Sequence, residues 1–186
     1  LLEILDYLRV AVREHPPVYY LLIRGWMALM GTSEFSLRIF SVCVGLVALT
    51  LMGWLSRVAS PEGARSADAV ALLSASLLAV VPGMVYYVRE ARMYSLGIVW
   101  MLLSAGLFLR DWLLDSKGGS RSPLGVRKSM VGLIIVHCLA LFTHYYLILP
   151  ILVQPLVLLI TRRWRSLLVW CAGHGFLALA GLAWLW

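Results

Sequence analysis

Charged residues are scarce in this chain. Of its 186 residues, 13% are charged and 62% are hydrophobic, whereas an ordinary soluble domain carries about 25% charged residues. A chain of this length cannot bury so much apolar surface in a core of its own. We therefore expect lipid to be the solvent for most of the chain.

Cysteine is also rare, and its placement excludes two kinds of site. The three cysteines, Cys43, Cys138 and Cys171, each lie alone inside an apolar run. No CxxC or Cys/His spacing occurs, so neither a disulfide framework nor a zinc site is indicated. We expect these side chains to be small buried or lipid-facing groups.

The positively charged residues are concentrated in the predicted loops. The formal net charge is +7, and the basic residues lie in short segments between apolar runs. This distribution is typical of the loops that set the topology of a membrane protein, and it argues against a nucleic-acid partner. The lipid bilayer is the partner that the composition predicts.

The apolar runs predict an all-α fold, a polytopic bundle of transmembrane helices. A spanning helix needs roughly 20 apolar residues, and residues 35–56, 69–88, 93–114 and 165–186 reach that length. Residues 129–149 and 147–161 form a further pair, joined around "THYYLILP". We thus expect about six spans within residues 35–186, preceded by the end of an outer loop in residues 1–31.

The first apolar stretch, residues 16–31, differs from the others because it is short and carries Arg24 at its middle. A charge at the bilayer centre costs about 2.5–3.5 kcal/mol. A helix that lies in the membrane interface avoids this cost, and Trp26 and the tyrosines suit that depth. Pro16 and Pro17 favour the start of a helix here, after an amphipathic helix in residues 1–14.

Orientation follows from the basic residues. Ten of the 16 Lys and Arg residues lie in three alternate loops, "SRVASPEGARSAD", "RDWLLDSKGGSRSPLGVRK" and "TRRWR". Loops of this kind stay in the cytoplasm. The clusters "REHPP", "REARMY" and "THYY" then fall together on the outer face, which is the strongest functional signal in the pattern.

The segment "YYVREARMY" joins two predicted spans with almost no loop. Arg89 and Arg92 would be good phosphate ligands, because the planar guanidinium makes bidentate contacts. Glu90 between them could orient the arginines or contact sugar hydroxyls. The alternative is that these residues only end two helices, with their charged groups at the interface.

Histidine occurs in two settings. His144 and Tyr145 lie at an outer helix end, where an ionisable group is often functional, although aromatic residues there are also common as a belt. His137 and His174 lie inside predicted spans, where we expect hydrogen bonds that pack helices together. The outer clusters suit an amphiphile with an anionic headgroup, whether it is transported, sensed or cleaved.

Three motifs, in order, resemble one family. "HPPVYY", "YYVREARMYSL" and "FTHYYLILPILVQPLVLL" resemble segments of the bacterial polytopic C-type glycosyltransferases, which are akin to protein O-mannosyltransferases and lipid A aminoarabinose transferases. The resemblance covers about residues 5 to 161. It implies inverting transfer of a sugar from a polyprenyl-phosphate donor to a protein, lipid or glycan acceptor, at the outer face of the cell membrane.

The resemblance also implies site residues. The general base would be an acidic residue of an Asp-Glu pair upstream of Leu1, after a first span that the sequence does not include, and a C-terminal region would follow. Basic groups, sometimes with a divalent metal ion, would stabilise the leaving phosphate. The supporting catalytic candidates are His15 and Glu90, and the substrate-binding candidates are Arg89, Arg92, Tyr94, His144 and Tyr145.

Two other functions remain open from the sequence. A transporter or flippase for an amphiphilic anion would be expected to have repeated halves and broken helices at the midplane, whereas the polar clusters here gather at the outer boundary. A non-catalytic membrane assembly subunit would use the same clusters to bind a partner protein.

Overall fold

The computed structural model describes residues 16–60, 66–116 and 128–185, with side chains for residues 16–60, 66–110 and 130–175. All regular secondary structure in these ranges is helical, so the predicted all-α fold is confirmed there. The helices are α1 Pro17–Met30, α2 Glu34–Ala59, α3 Ala67–Val80, α4 Pro82–Arg89, α5 Tyr94–Ser116, α6 Lys128–Leu141, a 3-10 turn Tyr145–Leu147, α7 Ile148–Ile160 and α8 Trp164–Leu185.

Helix α1 begins as the sequence predicts. Pro16 is extended and Pro17 takes the first helical position, where the missing N–H of proline costs nothing. The helix ends at Gly31, whose φ of 80° favours glycine. Arg24 is exposed. The buried face of α1 includes Tyr19, which packs at the start of α5.

Helix α2 is the centre of the bundle. It has 26 residues, its N-terminus is capped by the Ser33 side chain, and it packs against α1, α3, α4 and α5. Its contact with α5 is close because the Trp54 ring lies against Gly106, where any Cβ would overlap the ring. This glycine therefore sets the spacing between the two helices.

One apolar run expected as a single helix is broken. The structure divides residues 69–88 into α3 and α4, which meet at an angle of 62°. Pro82 is the cause, since it has no N–H for the helix ladder and its ring crowds the preceding turn. Val81 is extended at the break.

The expected division of residues 129–161 is corrected too. Helix α6 ends at Leu141, after 14 residues, and a turn and a 3-10 segment separate it from α7, which has 13 residues. The physical reason is that Thr143 and His144 leave the helix and bond to the chain locally. The predicted helix through residue 149 is therefore interrupted at the "THYY" segment.

Within residues 16–60, 66–110 and 130–175, whose side chains the structure describes, α2 alone is a single helix both long enough and apolar enough to cross a membrane, and α3 with α4 would be a second if they form one bent span. In the same ranges, residues 94–110, 130–141 and 145–160 form apolar helices that are shorter than a span. The structure thus supports membrane association through one helix, and the six-span topology stays a proposal.

Candidate functional site

Three motifs that are far apart in the sequence meet at one end of the bundle. The N–H of Val18, at the start of α1, donates to the carbonyl oxygen of Phe142 in the α6–α7 turn at 2.9 Å. Tyr19 packs against Met93 in the α4–α5 turn. The structure therefore brings the segments "PPVYY", "REARMY" and "THYY" together at this end of the bundle. We call this region the ladder end, because a series of aromatic rings crosses it.

A series of aromatic rings crosses the ladder end. The rings of Tyr86 and Tyr87 are 5.6 Å apart, those of Tyr87 and Tyr94 4.8 Å, those of Tyr94 and His144 5.9 Å, and those of His144 and Tyr146 5.1 Å. These separations lie in the range of stabilising aromatic contacts. We call these five side chains the aromatic ladder. It joins the end of α4, the start of α5 and the turn before α7.

Local hydrogen bonds hold the α6–α7 turn, which carries His144, in place. The Nδ1 atom of His144 accepts from the backbone N–H of Tyr146 at 3.3 Å, which caps the 3-10 turn. The hydroxyl of Thr143 donates to the carbonyl oxygen of Leu139 at 2.7 Å and accepts from the Trp100 indole at 2.9 Å. The turn is thereby fastened to α5, which also carries Tyr94.

Opposite charges lie beside the ladder. The Nε atom of Arg92 is 3.7 Å from the Oε2 atom of Glu90, and the Tyr86 hydroxyl interacts with the same carboxylate. Oε2 is buried from solvent and has no hydrogen-bond partner among the described residues, while the Arg92 side chain is 63% exposed. Within this part of the chain the pair therefore keeps both an unused acceptor and unused guanidinium donors.

Helix α1 adds two phenols to this surface. Burial raises the pKa of Tyr19 to about 12, and the neighbouring Tyr20 adds to the rise. Burial also raises the pKa of Tyr20, whereas the positive charge of Arg92 opposes that rise. Tyr20 therefore lies within the electrostatic reach of Arg92, which connects α1 with the α4–α5 turn.

Four of the predicted site residues meet in this arrangement. Glu90 and Arg92 form the ion pair, and Tyr94 and His144 are neighbouring rungs of the ladder. Their assigned roles in substrate binding stay predictions.

The other predicted residues have different settings. Arg89 is the last residue of α4 and is exposed, and it forms no ion pair with the described residues. Tyr145 opens the 3-10 turn, but the ring that stacks on His144 is that of Tyr146. His15 lies outside the described residues.

Five tyrosines of the arrangement were missed from the sequence: Tyr19, Tyr20, Tyr86, Tyr87 and Tyr146. Each lies in or beside a predicted motif, but a tyrosine at an apolar boundary is read first as part of an aromatic belt. The available signal was repetition, because each motif contains a Tyr-Tyr pair. Which tyrosine of a pair faces the site depends on helix rotation, and only the fold shows it.

An apolar cavity lies next to the ladder end, between α5 and α7. It has a volume of about 340 Å³, and its wall includes Trp100, Ser104, Phe108, Leu147 and Gln154. Leu147 directly follows Tyr146, and the indole of Trp100 reaches the α6–α7 turn. The wall is almost wholly apolar, and hydrocarbon would fit it better than a charged group.

A divalent metal ion does not fit the described residues. They contain no group of three or more His, Cys, Asp or Glu side chains that could hold one. At the ladder end the described candidates for ligands are Glu90 and His144, fewer than the oxygen set that Mg²⁺ or Ca²⁺ takes. We therefore derive no step through a metal ion.

The two histidines inside the bundle bond to each other. The Nδ1 atom of His137 is 2.6 Å from the Nε2 atom of His174. Their predicted role, hydrogen bonds that pack helices together, is confirmed.

Comparison with known proteins adds nothing to this geometry. No protein-family model, curated protein or solved structure matches the chain. The resemblance to C-type glycosyltransferases therefore stays a prediction from the sequence motifs.

Proposed function

We propose that the protein is a membrane glycosyltransferase that moves a sugar from a polyprenyl-phosphate donor to an acceptor outside the membrane. The observation that carries the proposal is one juxtaposition. An ion pair with unused hydrogen-bonding capacity, a series of aromatic rings and an apolar cavity lie side by side at the ladder end. A sugar linked to a lipid through phosphate has one chemical part for each feature: the phosphate for the ion pair, the sugar for the aromatic rings and the hydrocarbon chain for the cavity.

The phosphate is assigned to Arg92. Its guanidinium is exposed and pairs with Glu90 at 3.7 Å, longer than a hydrogen bond, so among the described residues its donors remain available to a ligand. Arginine binds phosphate oxygens through two parallel N–H groups. A positive charge there would stabilise the negative charge that develops on the phosphate as it leaves the sugar. Arg92 is preferred over Arg89 because Arg92 lies beside the ladder and Tyr20.

The sugar is assigned to the ladder and Glu90. The aliphatic face of a sugar ring packs against tyrosine rings, and the Oε2 atom of Glu90 needs a donor such as a hydroxyl group. These contacts position the sugar and do not supply the general base. That base, an acidic residue which deprotonates the acceptor, would come from outside the described residues.

The lipid chain is assigned to the cavity between α5 and α7. Ligand sites commonly have volumes of about 300–1,000 Å³ and apolar walls, and the cavity has about 340 Å³. A polyprenyl chain would enter it from the bilayer. This requires the ladder end to face outside and the shorter apolar helices to lie within the membrane, which is the six-span topology expected from the sequence.

A transporter of an amphiphilic anion is the second candidate. It is favoured by the 62° bend between α3 and α4, because broken helices are common in transporters.

Proteoliposomes test both functions. Full-length protein would be supplied with polyprenyl phosphate that carries a radiolabelled sugar, and with membrane extract as acceptor. We expect the label to leave the lipid, and to do so more slowly with Arg92→Ala. Arg57→Ala is the control, since Arg57 pairs with Asp68 on the surface, away from the ladder end. Label that crosses the bilayer still attached to its lipid would contradict the enzyme and favour the transporter.

A further inference from the structure

Five polar side chains meet in the interior of the bundle, and four helices supply them. They are Ser104 of α5, His137 of α6, Gln154 of α7, and Trp170 and His174 of α8, all linked by hydrogen bonds. The proposed function uses none of these hydrogen bonds. Their donors and acceptors can be assigned completely.

The two histidines fix one half of the assignment. The Nδ1 atom of His174 is 2.7 Å from the carbonyl oxygen of Trp170. A carbonyl oxygen only accepts, so this Nδ1 carries the hydrogen. The Nε2 atom of a neutral His174 must then accept, and the Nδ1 atom of His137, 2.6 Å away, must donate to it.

The other half follows from the remaining contacts. The Nε2 atom of His137 is left as an acceptor, and the Ser104 hydroxyl donates to it at 2.7 Å. The Ser104 oxygen accepts from the Gln154 amide at 2.7 Å, and the Gln154 carbonyl oxygen accepts from the Trp170 indole at 3.3 Å. Every bond thus runs in the same direction, and the series closes on Trp170.

Charge supports the neutral form of both histidines. Within the described side chains of α5 to α8, residues 94–110, 130–141 and 148–175, there is no Asp or Glu. Among these described residues the charged groups are Arg110 on α5, Arg165 on α8, and Arg162 and Arg163 between α7 and α8. An imidazolium in this interior would have no counter-charge among the described side chains, and a buried unpaired charge is costly. The other titratable side chains near the two histidines in sequence are Cys138, directly after His137, and Cys171, three residues before His174.

We propose that Ser104 is a positioning residue for the aromatic ladder, in a closed circuit whose two histidines are both neutral with hydrogen on Nδ1. Ser104 is the one member that bonds to both α6 and α7. It lies on α5, the helix that Tyr94 begins, about 15 Å from that first residue. Tyr94 begins α5, and the segment with His144 and Tyr146 lies between α6 and α7, so one hydroxyl joins the three helices that position these neighbouring rings.

The geometry explains how a distant hydroxyl acts on the ladder. The helices on both sides of the α6–α7 turn bond to Ser104, α6 through His137 and α7 through Gln154. If Ser104 loses its hydroxyl, both helices lose their common partner on α5. The bond between Thr143 and Trp100 still holds the turn to α5, but the helices on either side of the turn can then shift about that point, and the separation of the rings changes.

Nitrogen NMR of the wild-type protein in lipid nanodiscs tests the assignment without any mutation. With 15N-labelled histidine, we expect both His137 and His174 to show a protonated Nδ1 and an unprotonated Nε2 at neutral pH. Hydrogen on Nε2 of either residue, or an imidazolium, would overturn the circuit. Each signal is assigned from the spectrum of the corresponding His→Asn variant.

Fluorine NMR tests the positioning role. In protein labelled with 3-fluorotyrosine, Ser104→Ala should shift the Tyr94 and Tyr146 signals by more than their linewidths. Ser104→Thr keeps the hydroxyl, and its added methyl group can enter the adjacent cavity, so it should restore them. Ser41→Ala is the matched control, because Ser41 is a fully buried serine whose hydroxyl has no hydrogen-bond partner among the described residues.

A second variant covers the case in which Ser104→Ala does not fold. Gln154→Met removes two bonds of the circuit, those to Ser104 and Trp170, and keeps a similar volume, and it should shift the same two signals. Unchanged Tyr94 and Tyr146 signals in every folded circuit variant would overturn the positioning role. Since neither NMR experiment uses a substrate, this outcome is separate from failure of the proposed function. The relevance of Ser104 to catalysis does rest on that function.

Discussion

Tyr94 and His144 place their rings 5.9 Å apart with an angle of 34° between them. Tyr94 begins α5 and His144 precedes the 3-10 turn before α7, so the contact joins two segments that are distant in sequence. Tyr87 and Tyr146 extend it on either side. Because the contact lies between separate helix ends, substitutions at Tyr94 test whether the ladder works as one surface.

Tyr94→Ala should weaken binding of the sugar donor more than Tyr94→Phe does. The alanine variant loses the ring against which the sugar would pack. A ring–sugar contact worth as much as an aromatic pair, about 0.5–1.5 kcal/mol, would raise the dissociation constant roughly two- to tenfold when it is lost. The phenylalanine variant keeps the ring. Titration of a prenyl-phosphate sugar by calorimetry in detergent measures the difference. Equal loss in both variants would mean that the hydroxyl, and not the ring stack, is what matters.

Arg92→Ala should weaken donor binding by roughly ten- to hundredfold, since a hydrogen bond to a charged group contributes about 1.5–3 kcal/mol. Arg92→Lys should recover part of the affinity, because lysine keeps the charge and loses the bidentate geometry. The same titration distinguishes the two.

Arg89→Ala provides the comparison within the same turn. Arg89 is exposed at the end of α4 and outside the ladder, so its loss should change affinity less than the loss of Arg92. The opposite ranking would move the phosphate from the ladder to the end of α4.

Much of the fold could be predicted because the apolar runs are long. The start of α1 at Pro16 and Pro17, its end near Gly31 and the approximate bounds of α2 and α5 all follow from local signals. The bend at Pro82 carried a signal, but proline is tolerated inside membrane helices, so composition did not decide between a kink and a break.

The site was predictable in its motifs and not in its contacts. Glu90, Arg92 and His144 stood out as ionisable groups at apolar boundaries. Ser104 and Gln154 gave no signal, because an isolated polar residue in an apolar helix acquires a role only through a partner on another helix. The partner of His137 on α6 is His174 on α8. Because α7 lies between these two helices in the sequence, no spacing rule predicts that the two histidines meet.

Gly106→Ala should destabilise the protein by about 1–3 kcal/mol, the usual cost of overpacking a tight contact. The added methyl group would overlap the Trp54 ring between α2 and α5. Thermal unfolding in nanodiscs would measure the loss as a lower midpoint temperature.

Gly25→Ala is the matched control for that substitution. Gly25 is also inside a helix, but a Cβ there would meet nothing within 4 Å. Alanine is up to about 1 kcal/mol more favourable than glycine in a helix, so this variant should be as stable as the wild type or more so. A loss equal to that of Gly106→Ala would show that backbone effects, and not the Trp54 contact, cause the destabilisation.

Alkaline pH should destabilise the protein through Tyr19. The folded pKa is about 12 against an ordinary value of 10.0. Below pH 10 the phenol is protonated in both states. Between pH 10 and 12 the unfolded state has released the proton and the folded state has not, so the free energy of unfolding falls as pH rises. In Tyr19→Phe the midpoint temperature should fall less steeply over this range. An identical slope would contradict the buried setting of the phenol.

The most direct test of the central claim is to locate the donor lipid on the protein. A polyprenyl phosphate with a photoreactive group on its first isoprene unit would be crosslinked in nanodiscs, and the attached residues would be mapped by mass spectrometry. We expect crosslinks at the ladder end and the adjoining cavity, around Trp100 and Leu147, with loss of signal in Arg92→Ala. Crosslinks concentrated at the opposite end, near Arg57 and Asp68, would contradict the proposed donor site.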